Sequence, residues 1–252
     1  MTYVIARTAS RNGRGRAFYV FLLSGLCLLA VVCGSCRKCV RTSSEVCGCE
    51  EPMWPPQAGE VVSLFDGKTM GQWEQTPYEQ EGKSFVEDGR LVMAAGQDMS
   101  GIRWTGPLLR MNYEIVLEAA RLEGSDFFCG LTFPVNGSPC TLVVGGWGGT
   151  LIGLSNVDYY DAANNMTSRS KSFENGVWYT VRLRVTESHI QAWIDDEMFV
   201  NFEWTGHKLD VRMEVDASIP LGISTWQTTG AVRAITVRKE TEAVEFANPW
   251  DF

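Results

Sequence analysis

Residues Gly176 to Trp204, GVWYTVRLRVTESHIQAWIDDEMFVNFEW, carry the pattern that decides the fold. Val177, Tyr179, Val181, Leu183 and Val185 alternate with Trp178, Thr180, Arg182 and Arg184. A period of two places successive side chains on opposite faces of a strand. Glu187-Ser188 supplies a turn, after which Ile190, Ala192 and Ile194 alternate with Gln191, Trp193 and Asp195. Asp195-Asp196-Glu197 turns the chain again, and Met198, Val200, Phe202 and Trp204 resume the apolar face. One face of this antiparallel ribbon is aliphatic and has to be covered. The other mixes Trp, Arg, Gln and Thr, which suits a ligand, a partner or plain solvent. A second sheet is the usual cover, so the stretch predicts a two-sheet sandwich with Val181, Leu183, Ile190 and Ile194 between the sheets.

Outward from this ribbon the signals remain strand and turn. Val61-Val62-Ser63-Leu64-Phe65 ends at Asp66-Gly67-Lys68, and Asp88-Gly89 joins Ser84–Glu87 to Arg90–Met93 as a hairpin. Further strands are expected at Asn112–Leu122, Phe127–Phe133, Thr141–Val144, Leu151–Leu154, Ile219–Thr225 and Ala231–Val237. No long apolar period of 3.6 residues follows residue 36, and there is no internal repeat longer than a hairpin. Residues 60–239 therefore read as one all-β domain, a two-sheet antiparallel jelly-roll sandwich. The Pro-rich run EEPMWPPQAG at 50–59 closes a linker spanning 37–59, and residues 240–252 form a tail.

The chain of 252 residues is 45% hydrophobic and carries a formal charge of -8. That charge is unevenly spread. Residues 1–49 hold seven basic residues and one acid, leaving 15 basic and 29 acidic residues in the remainder. An acidic domain repels a phosphate backbone, so nucleic acid is not the expected partner. The basic residues Arg7, Arg11, Arg14 and Arg16 precede the apolar run Ala17–Cys33, and this order is that of a secretory signal. Residues 1–36 are read as a signal or anchor segment with three outcomes open: cleavage after a small residue, lipidation at Cys36 behind Gly34-Ser35, or retention as a membrane anchor. Export to the cell envelope or periplasm is common to all three, with membrane contact through the anchor or lipid.

Six of the eight cysteines lie between Cys27 and Cys49. Cys33, Cys36 and Cys39 have a spacing that superficially resembles a metal site, but in an exported segment pairing or acylation is the expected chemistry. Cys129 and Cys140 flank Val135-Asn136-Gly137-Ser138 in a hairpin, either as a disulfide or as two buried thiols.

Several landmarks together resemble one family. Ser63-Leu64-Phe65-Asp66-Gly67-Lys68-Thr69-Met70-Gly71-Gln72-Trp73 resembles the Leu-Phe-Asp-Gly-Lys…Trp opening strand of bacterial 3-keto-disaccharide hydrolase domains. Val86–Leu91, Gly176–Tyr179 and Ala192–Asp195 resemble further landmarks of that family. The resemblance covers residues 60–239 and implies a concanavalin A-like, laminin-G-like sandwich that is usually exported and acts on 3-keto-glycosides. Typical members carry an Asn-Ser-Gly strand and a Gly-Tyr-Glu strand. Here the comparable strands read Asp126–Leu131 and Leu142–Trp147, without the Asn-Ser pair or the glutamate.

A ketone at C3 acidifies the C2 proton, so a base can remove it while a cation or donor holds the enolate oxygen. The candidate carboxylates are Asp126, Asp161 and Glu214, and the candidate cations are Arg103 and Arg182. Trp104, Trp147, Trp178, Trp193 and Trp226 could each stack on a sugar ring. Trp147 stands out because four glycines, Gly145, Gly146, Gly148 and Gly149, deprive it of neighbouring side chains. No helix start follows that run, so it is no phosphate cradle. Asp158, Asp161, Asn164, Asn165 and Thr167 crowd one loop, either to hold calcium or to order the loop by side-chain to backbone bonds. Trp147, Asp161 and Asn165 are expected to line one saccharide pocket at the edge of the concave sheet, with Thr167, Arg182, Trp193 and Trp226 as further ligand contacts. The chain has two histidines, His189 and His207, and contains no HExxH, GxSxG or dinucleotide fingerprint. A hydrolase of 3-keto-glycosides is the first reading; a non-catalytic carbohydrate-binding or adhesion module is the second, and an anchored structural protein of the envelope the third. Mass spectrometry of the mature protein tests the export reading: a processed or lipidated N-terminus is expected, and an intact one on cytoplasmic protein removes it.

Overall fold

The computed structural model describes residues 54–240. The basic and apolar N-terminal run, Cys36 with the five cysteines around it, and the tail beyond Glu240 lie outside the described residues. Strands β1 (Val61–Ser63) and β2 (Trp73–Gln75) are short, and β3 (Ser84–Glu87) and β4 (Arg90–Met93) form the hairpin expected at Asp88-Gly89. β5 (Met99–Trp104), β6 (Tyr113–Glu123), β7 (Cys129–Val135), β8 (Ser138–Gly145) and β9 (Leu151–Ser155) follow. After β10 (Arg169–Ser170) come β11 (Trp178–Val185), β12 (His189–Ile194) and β13 (Glu197–Glu203), which are the opening stretch. β14 (Gly222–Trp226) and β15 (Thr229–Lys239) close the domain.

These strands make two antiparallel sheets. The first runs β13-β12-β11-β6-β15-β4-β3, with β1 also paired to β15; the second runs β10-β9-β8-β7-β14-β5-β2. The fold class is the two-sheet sandwich predicted from alternation. Between β11 and β12, Val181 faces Ile194, Leu183 faces Ala192 and Val185 faces Ile190, and all six are fully buried. Leu131, Phe133, Leu142, Val144, Ile152 and Leu154 of the second sheet belong to the same core. Tyr113 is buried with its ring, and its hydroxyl donates to the Pro134 carbonyl at 2.6 Å, joining β6 to β7 across the sandwich. A buried phenol usually has such a partner for its oxygen. Trp73, from the opening motif, does the same: its Nε1 donates to the Leu64 carbonyl at 2.8 Å.

The apolar face of β13 departs from simple alternation. The register shifts between Ala192 and Trp193, so Ala192 faces Val200 while Trp193 faces Met198. This bulge inserts Phe199 as an extra buried residue and leaves Met198 40% exposed. Val177 is likewise 40% exposed, because it precedes the first paired residue of β11. Cys129 and Cys140 are free thiols; Cys129 lies opposite Val144 and Cys140 opposite Phe133. Complete burial pushes each thiol up to about 12, which keeps both protonated and unreactive at neutral pH. Among the described residues no helix is long and apolar enough to cross a membrane.

Leu183→Ala should remove about 2–5 kcal/mol of stability, because it empties a fully buried position that strands on both sides hold in place. Urea denaturation followed by circular dichroism measures it; an unchanged midpoint would contradict this core.

Candidate functional site

The central strands β7, β8, β9 and β14 of the second sheet are buried on both faces. The sheet's inward positions are large and apolar, whereas the outward positions Gly101, Gly130, Thr132, Thr141, Gly153, Ser155 and Ser224 are small. A methyl at Gly130 would meet the Ser224 hydroxyl at 2.7 Å, so this trough has no room for larger residues at its centre. Two loops cover it, residues 156–168 after β9 and 204–221 after β13. They are zipped together: Asn156 and Asp210 exchange backbone hydrogen bonds, and the Asp158 N–H donates to the Lys208 carbonyl at 2.8 Å. Asp158 also receives the Lys208 N–H at 2.8 Å and contacts His207 Nδ1 at 2.7 Å, and these bonds hold its carboxyl below the usual aspartate range. Under the loops Met99, Phe127, Val143, Ala162, Val211 and Val215 form a second apolar cluster.

A cavity of about 240 Å³ opens at the edge of that cluster. Thr141, Val143 and Ser155 form its floor, and Asp126, Trp147, Arg212, Glu214 and Trp226 are the polar and aromatic groups around it. The Gly145–Gly149 turn explains how Trp147 reaches this place. Gly145 (φ 78), Trp147 (φ 48), Gly148 (φ 88) and Gly149 (φ 103) are all left-handed, so the turn is tight and lifts the indole to 44% exposure. Asp126 fastens the same turn: one carboxylate oxygen accepts the Gly148 N–H at 3.0 Å, and the other accepts the Phe127 N–H at 2.7 Å. Among the described residues no cation pairs with Asp126.

Arg212 is the electrostatic centre of the site. Its Nη2 and Nε donate to the two oxygens of Glu214 at 2.7 and 3.3 Å, and Nη1 donates to Asp161 at 3.2 Å. Its guanidinium carbon lies 5.8 Å from the centre of the Trp147 ring. The hydrogen bonds from Arg212 hold the Glu214 carboxyl below its usual range, and Glu214 in turn raises the arginine. Three of the five guanidinium N–H groups are engaged, which leaves two for a ligand. Arg212 was not among the residues singled out from sequence. Its pairing with Asp161 spans 51 residues and leaves no local signature; the only hint is the short Arg212-Met213-Glu214 spacing.

The structure thus brings Asp126, Trp147, Glu214 and Trp226 to one cavity and separates the other candidates from it. Asp161 stands behind Arg212 and is not part of the lining. Asn165 turns into its own loop, donating to the carbonyls of Leu154 at 2.7 Å and Asp161 at 2.8 Å. Thr167 is buried; its hydroxyl donates to Asn165 and accepts the Leu154 N–H. That loop is ordered by its own side-chain to backbone bonds. Arg103 sits on β5, held by Glu74 at 2.7 Å. Arg182 and Trp193 do share a face, as alternation required, but it belongs to the first sheet, where the guanidinium covers the indole at 3.9 Å. Trp178 is covered by Arg233 in the same manner at 4.1 Å, and Trp104 packs against Trp73 in the core.

The chain belongs to the 3-keto-alpha-glucoside-1,2-lyase-like domain family, whose model matches residues 60–238. Among solved structures it is similar to a protein from Parabacteroides distasonis ATCC 8503 provisionally assigned as a glycosyl hydrolase. That match has 14% identity and a TM-score of 0.47, covering 72% of this chain and 94% of the other. It is also similar to a chain from a study of endo-acting O-glycanases of the human gut microbiota, at 14% identity and a TM-score of 0.49, covering 72% and 99%. A third similarity is to the carbohydrate-binding module CBM66 from Bacillus subtilis, at 10% identity and a TM-score of 0.46, covering 66% and 95%. Comparison with functionally curated proteins gives no match.

The Arg212–Glu214 pair has a pH signature. Because the folded Glu214 is depressed, the contact is complete above the ordinary glutamate range and is lost only as pH falls through the lower folded value. In an acid titration by NMR the Arg212 Nε–H resonance should hold through that ordinary range and move below it. Glu214→Gln should remove the step.

Proposed function

We propose that the cavity binds the 3-keto ring of a glycoside and cleaves its C1–O bond by elimination. Asp126 removes the C2 proton, and the electron pair moves into the ring as an enolate whose C3 oxygen is held by the two remaining donors of Arg212. Collapse of the enolate forms the C1=C2 double bond and expels the C1 substituent, which leaves as an alcohol after taking up a proton. Water added across that double bond completes a hydrolysis. The observation that carries this reading is the convergence of Asp126, Arg212 and Trp147 on one small cavity in a domain of this family.

Physical chemistry divides the roles. Glu214 is held ionised by the fork of Arg212, so it is a poor base and serves to fix the guanidinium. Asp126 is tied only by backbone N–H groups, and it is the carboxylate left for proton transfer. Trp147 offers an exposed indole face to the axial C–H bonds of the ring. We place the domain outside the cytoplasm on the strength of the basic and apolar N-terminal run.

A second reading, a saccharide-binding module, is favoured by one feature: both oxygens of Asp126 already accept backbone hydrogen bonds, as a purely structural carboxylate's would. Kinetics on a 3-keto-glucoside separates the two. Asp126→Asn should lower turnover by about 10²–10⁴-fold while affinity is largely kept. Trp147→Ala should weaken binding by roughly tenfold or more with the fold intact, the effect of losing one stacking platform. Binding without turnover in the parent protein selects the module; unchanged binding in Trp147→Ala removes this cavity as the saccharide site.

A further inference from the structure

Beneath the turn that carries Trp147 lies a cation that the proposed chemistry does not use. Arg121, on β6 of the opposite sheet, is only 6% exposed. Among the described residues no carboxylate forms an ion pair with it, and its Nη1 has no hydrogen-bond partner. A buried arginine is usually matched by an acid, because taking its charge out of water is costly. Here it is matched by neutral groups. Its Nε donates to the Asn175 side chain and its Nη2 to the Phe173 carbonyl, both at 2.6 Å, and its guanidinium lies 5.8 Å from the Phe128 ring centre.

Those partners form a pedestal. Phe173 meets Phe128 edge-on at 5.1 Å, and Tyr179 meets Phe173 at 4.9 Å. The Trp147 turn rests on it at both ends. A methyl at Gly145 would come within 2.9 Å of the Phe128 ring, and one at Gly149 within 2.9 Å of Arg121 Nη1 and 2.7 Å of the Ser125 carbonyl. Between those ends Gly146 packs on Val143 and bridges to Leu151, whereas Gly148 has open space where a side chain would begin and the indole is 44% exposed. The height and tilt of the indole therefore depend on support from below, from Arg121 and Phe128 under the two end glycines, together with the Asp126 bond to Gly148 and the pairing of Gly146 with Leu151.

We propose that Arg121 is a positioning residue for Trp147, acting through the Gly145–Gly149 turn to set the affinity of the cavity without touching its ligand. It locks the 171–177 loop to the end of β6 and gives the turn a rigid base. This rests on the reading of the cavity as a saccharide site. Lysine is no replacement, since a single ammonium does not present the planar fork that engages Asn175 and Phe173 together.

The test is a double-mutant cycle in the full chain, with binding of a methyl 3-keto-glucoside measured by calorimetry. Arg121→Met and Arg121→Lys should each weaken binding by roughly tenfold when Trp147 is present and by little in a Trp147→Ala background. KM should rise more than kcat falls, because Arg212 stays in place while the turn that carries Trp147, tied to Asp126 through the Gly148 N–H, shifts. Asn175→Ala, a milder change that removes the Nε acceptor and one exposed bond to the Gly124 carbonyl, gives the same cycle if the arginine variants do not fold. Equal effects in both backgrounds, or rescue by lysine, would overturn the positioning role. Loss of nothing on Trp147→Ala itself would instead sink the saccharide reading beneath it.

Discussion

A β-sheet alternates its side chains, so a strand with one core has one apolar face, whereas the central strands of the second sheet serve two cores. Cys140, Leu142 and Val144 of β8 enter the space between the sheets, while Thr141 and Val143 enter the space beneath the covering loops. Small residues on the outer face let those loops come close, and the close approach creates both the second apolar cluster and the cavity at its edge. The sheet is then a floor fixed by inter-strand hydrogen bonds. The groups above it are carried by loops but held against a rigid surface, and this is how a loop-built site acquires defined geometry.

The charges of the site follow the same logic. Asp161 and Arg212 come from the two covering loops, and their contact is secured by the backbone ribbon that joins Asn156 to Asp210 and Asp158 to Lys208. Arg212 is half-buried beside an aromatic face, with Glu214 and Asp161 limiting its freedom. A cation fixed before a ligand arrives needs no reorganisation when charge develops nearby, which is the general advantage of preorganised electrostatics.

Much of the fold was legible because period-two alternation is a local property. Val181, Leu183, Ile190 and Ile194 are wholly buried between the sheets, as their spacing required. Met198 and Phe199 show the limit: a one-residue bulge is set by pairing across strands and by packing, and neither is written in the strand's own sequence. The site was legible where backbone chemistry exposed it. Trp147 could be found because four surrounding glycines announce a left-handed turn. Arg212 could not, since its meaning depends on Asp161 in a loop far away along the chain. Arg182 and Trp193 illustrate a third case. Alternation correctly put them on one face, yet nothing local says which of two sheets that face belongs to or that the guanidinium covers the ring.

The ends of the domain have a mechanical meaning. Val61 pairs with Arg238, and Ala58 bridges to Lys239, so the chain enters and leaves at adjacent points on β15 of the first sheet. A load applied across these points peels β1 from β15 one hydrogen bond at a time instead of shearing many at once. The cavity is built on the other sheet, which the chain joins only further on, at β2. The three-residue pairing of β1 with β15 is therefore the seam that opens first, and it lies on the sheet opposite the floor beneath Trp147 and Arg212.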